Sequence, residues 1–264
     1  MKTALILIDI QNDFVPGGAL AVPDGNAVVA VANELMDHVD LVVATQDWHP
    51  ANHGSFVSMH PEKVVGDVVD LNGVDQVVWP DHCVAGSTGA AFVDELDVHR
   101  IGHVITKGTD PAIDSYSGFF DNGHKKETGL QVYLKQHGVK DVVLVGLATD
   151  YCVKFTALDA RQLGFGVTLV SDGVRGVNLQ PGDIEKAIAD MRDAGVVVAK
   201  AGELKKSHMA GNGHFQHIKP QTIFETGLLY HHYANTAYPL TPGSFREYRI
   251  NDATLIRKFL LAAA

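Results

Sequence analysis

Four residues with reactive side chains stand at or just after the ends of apolar runs in this 264-residue sequence. Asp9 follows "ALILI", Asp47 follows "LVVATQ", Lys107 ends "HVITK", and Cys152 comes shortly after "DVVLVGL". Apolar runs of this kind are typical of parallel strands that are buried on both faces. Because ligands bind at the carboxyl ends of such strands, we expect two acids, a lysine and a thiol to converge at one edge of a sheet.

Together, three of these residues could perform nucleophilic catalysis. Thr149 is a suitable N-cap that would place Cys152 in the first turn of a helix, where the helix dipole favours a thiolate. Asp9 is the candidate general base, which takes the thiol proton and later hands it to a leaving group. Lys107 would hold the Asp9 carboxylate ionised. A lone cysteine is more often a small buried hydrophobic residue, so a catalytic role requires these groups to lie together.

A second group of residues has the composition of a metal site. Asp47 and His49 form a D-x-H pair in "TQDWHPANH", and His82 in "WPDHCV" is the natural third ligand. One carboxylate and two imidazoles suit zinc, iron or manganese and leave positions open for water or substrate. His53 and His60 compete as ligands, and we interpret His53 as a residue that braces the loop.

Three aromatic residues occur in loops close to these motifs. Phe14 follows the first apolar run, Trp79 precedes His82, and Tyr116 follows Lys107. Each could serve only for packing in the core or in a lid. Taken together, they predict the walls of a pocket for a flat ring.

The elements that must position these residues alternate along the chain. The predicted strands are 4–10, 41–46, 103–108, 141–147, 166–172 and 195–200, and the predicted helices are 25–38, 124–137, 150–163 and 182–194. This alternation indicates an α/β fold with three layers, built on a doubly wound, mostly parallel sheet of about six strands. The segment from about 47 to 100 interrupts the alternation, and long loops of this kind are usually functional.

The sequence after the last predicted strand shows no clear strand–helix unit. We therefore divide the chain into an α/β domain, residues 1–206, and a C-terminal extension, residues 207–264, of unassigned role. The extension begins with "SHM", which is typical of vector-encoded residues.

Composition excludes several classes of protein. A formal net charge of -10 argues against a nucleic-acid partner, which requires a basic surface. No run approaches the roughly 20 apolar residues of a membrane span, and Asp9 interrupts the only run that could begin a secretory signal. Two cysteines are too few for a disulfide framework, so we expect a cytoplasmic protein with free thiols.

These motifs together resemble the nicotinamidase (pyrazinamidase) branch of the isochorismatase-like cysteine hydrolases. The matching stretches are "LILIDIQNDFVPGGAL", "TQDWHPANHGSF", "VWPDHCVAGSTGAAF", "ITKGTDPAIDSYSGFF" and "VGLATDYCVKFTALDA". The resemblance implies a catalytic triad of Asp9, Lys107 and Cys152. It also implies a cis peptide bond before Ala148, and an oxyanion hole formed by the N–H groups of Ala148 and Cys152.

The same resemblance implies an activity and a cofactor. The family's metal ligands fall on Asp47, His49 and His82, with zinc favoured over iron and manganese. The implied reaction is hydrolysis of nicotinamide, and of pyrazinamide, through a cysteine thioester in the salvage of NAD. Two alternatives stay open: another amidase of the superfamily that acts on a carbamoyl or ureido substrate, and a non-catalytic metal-binding scaffold. Assembly into a homo-oligomer also stays open.

Overall fold

The computed structural model of the protein describes residues 2–204, and the predicted extension, residues 207–264, lies outside them. Eight strands are present: β1 Lys2–Ile8, β2 Leu41–Asp47, β3 Val68–Leu71, β4 Val74–Val77, β5 His103–Lys107, β6 Val139–Leu147, β7 Gly166–Arg175 and β8 Val197–Ala199. Six of them form a parallel sheet in the order β5-β2-β1-β6-β7-β8. The predicted doubly wound parallel sheet is therefore confirmed.

Among the elements that lie wholly within residues 2–204, four α-helices accompany the sheet: α1 Val28–Leu35, α2 Leu130–Gln136, α3 Lys154–Gln162 and α4 Asp183–Asp193. Each lies within a predicted helix but is shorter than predicted. The largest difference is at α2, where residues 124–129 are not helical. Gly129 precedes α2 with a φ of 97°, a left-handed conformation that the interior of a right-handed helix does not contain.

The centre of the sheet is fully apolar. The side chains of β1 from Ala4 to Ile8 have no exposed surface, because neighbouring elements cover both faces of the strand. The strand order reverses direction at β1, since the chain continues to β2 on one side and returns to β6 on the other. Such a switch point opens a crevice at the carboxyl ends of the strands. The predicted reactive residues lie at this crevice.

The segment between β2 and β5 contains a β-hairpin that the sequence analysis did not predict. Strands β3 and β4 pair antiparallel, and their two-residue turn is Asn72–Gly73, with φ values of 58° and 82°. Both values are positive, as a type I′ turn requires, and Asn-Gly is the preferred pair there. The hairpin brings Gln76 and Trp79 toward the switch point. Across residues 2–204, no helix has the length and apolar character needed to cross a membrane.

Candidate active site

The three residues of the predicted triad lie together and are buried. The Lys107 ammonium Nζ is 2.9 Å from Asp9 Oδ2 and 3.4 Å from Cys152 Sγ. It also donates hydrogen bonds to the Asp47 carboxylate and, at 2.9 Å, to the Ser115 carbonyl. A buried ammonium is tolerable only with anionic partners of this kind. Lys107 therefore links the predicted base, the predicted nucleophile and the first predicted metal ligand.

Thr45, on β2, fixes the orientation of Asp9. The Asp9 backbone N–H donates to Thr45 Oγ1 at 3.2 Å, and the Thr45 hydroxyl donates to Asp9 Oδ1 at 2.6 Å. Asp9 itself has a φ of 49°, which is uncommon for a residue with a side chain. Within residues 2–204, Oδ2 of Asp9 makes no hydrogen bond of good geometry, although Lys107 Nζ is near. This oxygen is therefore available to accept a proton.

Burial dominates the electrostatics of the triad and outweighs the helix-start effect that was expected to favour a thiolate. Burial raises the pKa of Asp9 to about 6, against the opposing charge of Lys107. Burial also raises the pKa of the Cys152 thiol well above its usual range; Lys107 opposes this shift, whereas Asp9 adds to it. The resting site thus pairs a thiol with a carboxylate of increased basicity. Transfer of the thiol proton to Asp9 becomes a required step.

The turn that carries Cys152 also differs in detail from the prediction. Thr149 is the first residue of a π-helical turn, Thr149–Val153, and α3 begins only at Lys154. Thr149 is therefore not a side-chain N-cap, and no side-chain hydrogen bond caps this turn. The peptide bond between Leu147 and Ala148 is cis, as the resemblance implied.

The glycine before this turn, Gly146, lies within strand β6. Gly146 pairs with Ile8 inside the sheet and has a φ of 124°. A Cβ at this position would collide with the backbone of Ile8. The glycine therefore permits the close approach of β6 to β1 that brings the Cys152 turn beside Asp9.

The predicted metal ligands form one buried cluster. One ligand atom from each of Asp47, His49 and His82 lies within 4.8 Å of the other two. His49 Nδ1 donates to the Gly108 carbonyl at 2.8 Å, and His82 Nδ1 donates to the Pro80 carbonyl at 2.7 Å. Both rings therefore keep Nε2 for a ligand, which is the usual arrangement around a metal.

The charge states of Asp47 and His82 also suit a divalent metal ion. Burial lowers the pKa of His49, but Asp47 outweighs it and raises that pKa, so His49 would release a proton on binding the ion. Burial would raise the pKa of Asp47, but Lys107 and His49 outweigh it and hold that pKa below its usual value. Burial, with the neighbouring His49, lowers the pKa of His82 to about 4. An ionised carboxylate and a neutral imidazole are the forms that bind metal. The donor set thus fits the predicted ion.

His53 lies beside this cluster. Its Nδ1 is 2.7 Å from the Ser55 hydroxyl, and its ring centroid is 4.3 Å from that of His49. These contacts agree with a bracing role. Its buried Nε2 has no hydrogen-bond partner within the described part of the chain. His60 is turned to the Gly54 carbonyl at 2.7 Å and does not join the cluster.

The predicted aromatic residues line one small pocket at the switch point. Phe14, Trp79 and Tyr116 surround it together with Ala148 and Cys152. The metal cluster borders the same space through Asp47 and His82. Further lining residues were not predicted individually: Leu20, Asp114, Tyr151 and Val177. The first three lie within the matching stretches quoted above, whereas no motif marks Val177.

Comparison with known proteins places this site in a family. Residues 3–203 match the Isochorismatase domain family. The nicotinamidase of Escherichia coli (strain K12) is 50% identical over 199 residues, which cover 74% of this chain and 93% of that protein.

Solved structures give the same result. A nicotinamidase/pyrazinamidase of Acinetobacter baumanii superposes with a TM-score of 0.75 at 41% identity, covering 77% of this chain and 98% of that one. The pyrazinamidase of Pyrococcus horikoshii, solved in complex with zinc, superposes with a TM-score of 0.62 at 38% identity, covering 76% and 99%. By domain match, sequence identity and structure, the chain belongs to the isochorismatase family, in its nicotinamidase branch.

Proposed function

We propose that this protein hydrolyses nicotinamide to nicotinate and ammonia, and pyrazinamide by the same route, with Cys152 as the nucleophile. One observation carries the proposal: Cys152 belongs both to the buried cluster with Asp9 and Lys107 and to the wall of the aromatic pocket. A ring held in that pocket would present its carboxamide carbon to the thiol. Relatives named for this activity align over nearly their whole length.

The first half of the reaction forms a thioester. Asp9 accepts the Cys152 proton, and the thiolate attacks the carboxamide carbon. The N–H groups of Ala148 and Cys152 are the proposed donors to the oxygen that gains negative charge. When the C–N bond breaks, Asp9 returns its proton to the departing nitrogen, and ammonia leaves. Lys107 keeps the carboxylate in place through both proton transfers.

The second half hydrolyses the thioester. Asp9, ionised again, takes a proton from water, and the resulting hydroxide attacks the thioester carbon. The C–S bond breaks, Asp9 returns its proton to the sulfur, and the acid leaves as nicotinate after its proton passes to the released ammonia. Water supplies the oxygen and hydrogens that balance the reaction.

Asp47, His49 and His82 are the residues that would hold a divalent metal ion, and zinc is the ion we propose. When bound, the ion supplies a positive, Lewis-acidic site beside the pocket that orients a ring nitrogen. The Pyrococcus horikoshii relative was solved with zinc. The ring itself would lie between Phe14 and Trp79, with Tyr116 completing the wall.

The two alternatives fit the site less well. A carbamoyl or ureido group is not itself a flat ring, whereas the pocket is walled by three aromatic residues that suit one. A non-catalytic scaffold would not need Asp9, Lys107 and Cys152 in mutual contact. The proposal also includes a cytoplasmic location, assembly into a homo-oligomer and a role in NAD salvage. Both cysteines are free, as expected for a protein of the reducing cytoplasm.

Ammonia release from nicotinamide tests the proposal directly. Purified full-length protein loaded with zinc should release one ammonia for each nicotinate formed, and pyrazinamide should behave alike. N-carbamoyl amino acids provide the comparison, since an amidase for carbamoyl substrates would prefer them. Absence of turnover on nicotinamide by zinc-loaded, folded protein would refute the assignment.

A further inference from the structure

Gln76, on strand β4, is a buried amide at the centre of a polar network that the chemistry above does not use. Its Nε2 lies 3.0 Å from the Tyr116 hydroxyl, 3.1 Å from Asp114 Oδ2 and 2.9 Å from the Val77 carbonyl. Only 1% of the Gln76 surface is exposed. Two of these partners, Tyr116 and Asp114, line the substrate pocket, whereas Gln76 itself stands behind them.

The hydrogen-bond chemistry allows one orientation of the Gln76 amide. The Tyr116 backbone N–H donates to Asn122 Oδ1 at 2.8 Å, so the Asn122 amide must turn its Nδ2 toward Gln76. That Nδ2 donates to Gln76 Oε1 at 3.1 Å. The Gln76 NH₂ group therefore faces the Asp114 carboxylate and the Tyr116 hydroxyl, which can both accept. Asn122 thus holds Tyr116 at its backbone N–H, and Gln76 holds it at its hydroxyl.

The same network extends to the other aromatic wall. Trp79 Nε1 donates to the Tyr116 hydroxyl at 3.1 Å, so this oxygen accepts from both Trp79 and Gln76. Asp114 is fixed on its second side, because its Oδ1 accepts from the Ser115 backbone N–H at 2.7 Å. Gln76 therefore hydrogen-bonds both to Asp114 and to the hydroxyl that Tyr116 shares with Trp79.

We propose that Gln76 is a positioning residue that sets how tightly the pocket binds the ring of its substrate. This inference rests on the proposed function, since it assigns the pocket walls to ring binding. Gln76 acts through Tyr116, Trp79 and Asp114 and does not touch the substrate. It should determine KM and the affinity for the acid product, and leave the rate of thioester chemistry nearly unchanged.

The separation from the chemical step follows from how the neighbouring segment is anchored. The Ser115 carbonyl supports Lys107. Besides its link to Asp114, Ser115 has a second anchor that does not involve Gln76, because its hydroxyl donates to the Phe120 carbonyl at 2.7 Å. Loss of the Gln76 amide would therefore release the aromatic walls before it moved Lys107.

Two substitutions test the proposal in the zinc-loaded, full-length protein. Gln76→Glu keeps the shape but replaces a donor with a carboxylate beside Asp114, and Gln76→Leu leaves Tyr116 and Asp114 without their donor. We expect KM for nicotinamide to rise about tenfold or more in both, as an unsatisfied buried partner implies, with kcat within about threefold. The nicotinate dissociation constant, measured by calorimetry, should rise by the same factor as KM.

Asp75→Asn is the matched control. Asp75 precedes Gln76 on β4, and consecutive side chains of a strand point to opposite faces. Its substitution should change neither KM nor kcat. Tyr116→Phe adds a second check, because it removes the shared hydroxyl; its effect on KM should not add to that of Gln76→Glu.

The outcomes separate this inference from the function on which it rests. If the wild-type protein does not hydrolyse nicotinamide, the proposed function fails whatever the variants do. If the wild type is active and Gln76→Glu, folded by circular dichroism, keeps its KM and its nicotinate affinity, the inference is overturned. A fall in kcat with unchanged KM would also overturn it, since Gln76 would then support the triad.

Discussion

Two kinds of backbone carry the site, and they hold their residues differently. Asp47 and Lys107 are the last residues of adjacent strands and face each other in register, and Asp9 follows the end of the strand between β2 and β6. The segment 48–102 instead supplies His49 and His82 from irregular backbone. The sheet ladder places the first set, whereas individual hydrogen bonds to carbonyls orient the second.

The His49 ring shows how specific the second kind of support is. Its Nδ1 hydrogen bond ends on the Gly108 carbonyl, and a Cβ at Gly108 would overlap the His49 ring. Gly108 also has a φ of 63°, which favours glycine. We infer a division of labour: the triad at the ends of the strands performs proton transfer and bond breaking, whereas the inserted segment, together with Asp47, binds metal and ring.

The largest effect should come from removing the proposed nucleophile at the sheet edge. Cys152→Ala should lower kcat at least about a thousandfold, because no other group can form the thioester. The fold should persist, since alanine is close to cysteine in size. Steady-state ammonia release measures the first effect and circular dichroism the second. A variant with a tenth of wild-type activity would show that Cys152 is not the nucleophile.

The second cysteine provides the control. Cys83 is fully buried and its backbone N–H donates to Asp13 Oδ2 at 2.7 Å, a contact that does not need the thiol. Cys83→Ala should therefore stay active. An alkylating reagent should inactivate the wild type, and nicotinamide should protect it. If Cys83→Ala were active but resisted the reagent, the reactive group would be Cys83 and not Cys152.

The next largest effect should come from the inserted segment. His49→Ala should lose bound metal and reduce activity about a hundredfold, mainly by weaker substrate positioning, because an imidazole ligand and its hydrogen bond to Gly108 are removed together. Asp47→Ala should behave alike. Elemental analysis should find about one divalent ion per chain in the wild type and little in either variant.

An exposed histidine on the same segment gives the comparison. His99→Ala should keep both the metal and the activity, since His99 is exposed and far along the chain from the cluster. A wild-type preparation that remains fully active after complete removal of metal would contradict the assignment of this region.

The same two regions also explain what the sequence could predict. The buried strands and the residues at their ends follow from apolar runs and from one topological rule, so Asp9, Asp47 and Lys107 were placed correctly at one edge. The hairpin was missed, although Asn72-Gly73 is a recognisable turn signal, because the polar residues around it mask the alternation.

The residues that support the site could not be predicted from the sequence, for a physical reason. Thr45 and Gln76 matter only through partners 36 to 40 residues away, and such pairs are set by the packed fold rather than by local spacing. The resting state of Cys152 is a similar case. Position at a helix start predicted a thiolate, but burial beside Asp9 dominates its pKa, and burial depends on the whole structure.

A smaller effect should appear in the pH dependence of the strand-end groups. Asp9 must be ionised to take the thiol proton, and its pKa is raised to about 6. The acid limb of kcat/KM should therefore lie near pH 6, with a loss of about tenfold per pH unit below it. A profile that stays flat down to pH 4.5 would exclude Asp9 as the base.

The free energy of unfolding should depend on the same titration in the opposite sense, because folding favours protonated Asp9 whereas catalysis requires the ionised form. Because the folded pKa of Asp9 lies above its usual 3.8, Asp9 stabilises the fold most when protonated, and this contribution is lost as the pH rises through about 6. Asp9→Asn removes this titration. The free energy of unfolding of the wild type, relative to Asp9→Asn, should thus increase between pH 7 and pH 5 in urea titrations.

The smallest effect on turnover should come from removing the predicted extension. All the proposed triad, metal and pocket residues precede residue 155, except for the wall residue Val177, and the last strand ends at Ala199. A chain that stops at Lys206 should therefore keep kcat/KM within about a factor of ten, a barrier change of roughly 1.4 kcal/mol or less. Light scattering should instead reveal a change in assembly or solubility, because residues 207–264 contain several aromatic residues. If the shortened chain lost activity while circular dichroism showed an intact fold, the extension would contribute to the site. The strand ends and the segment 48–102 would then not suffice to explain the activity.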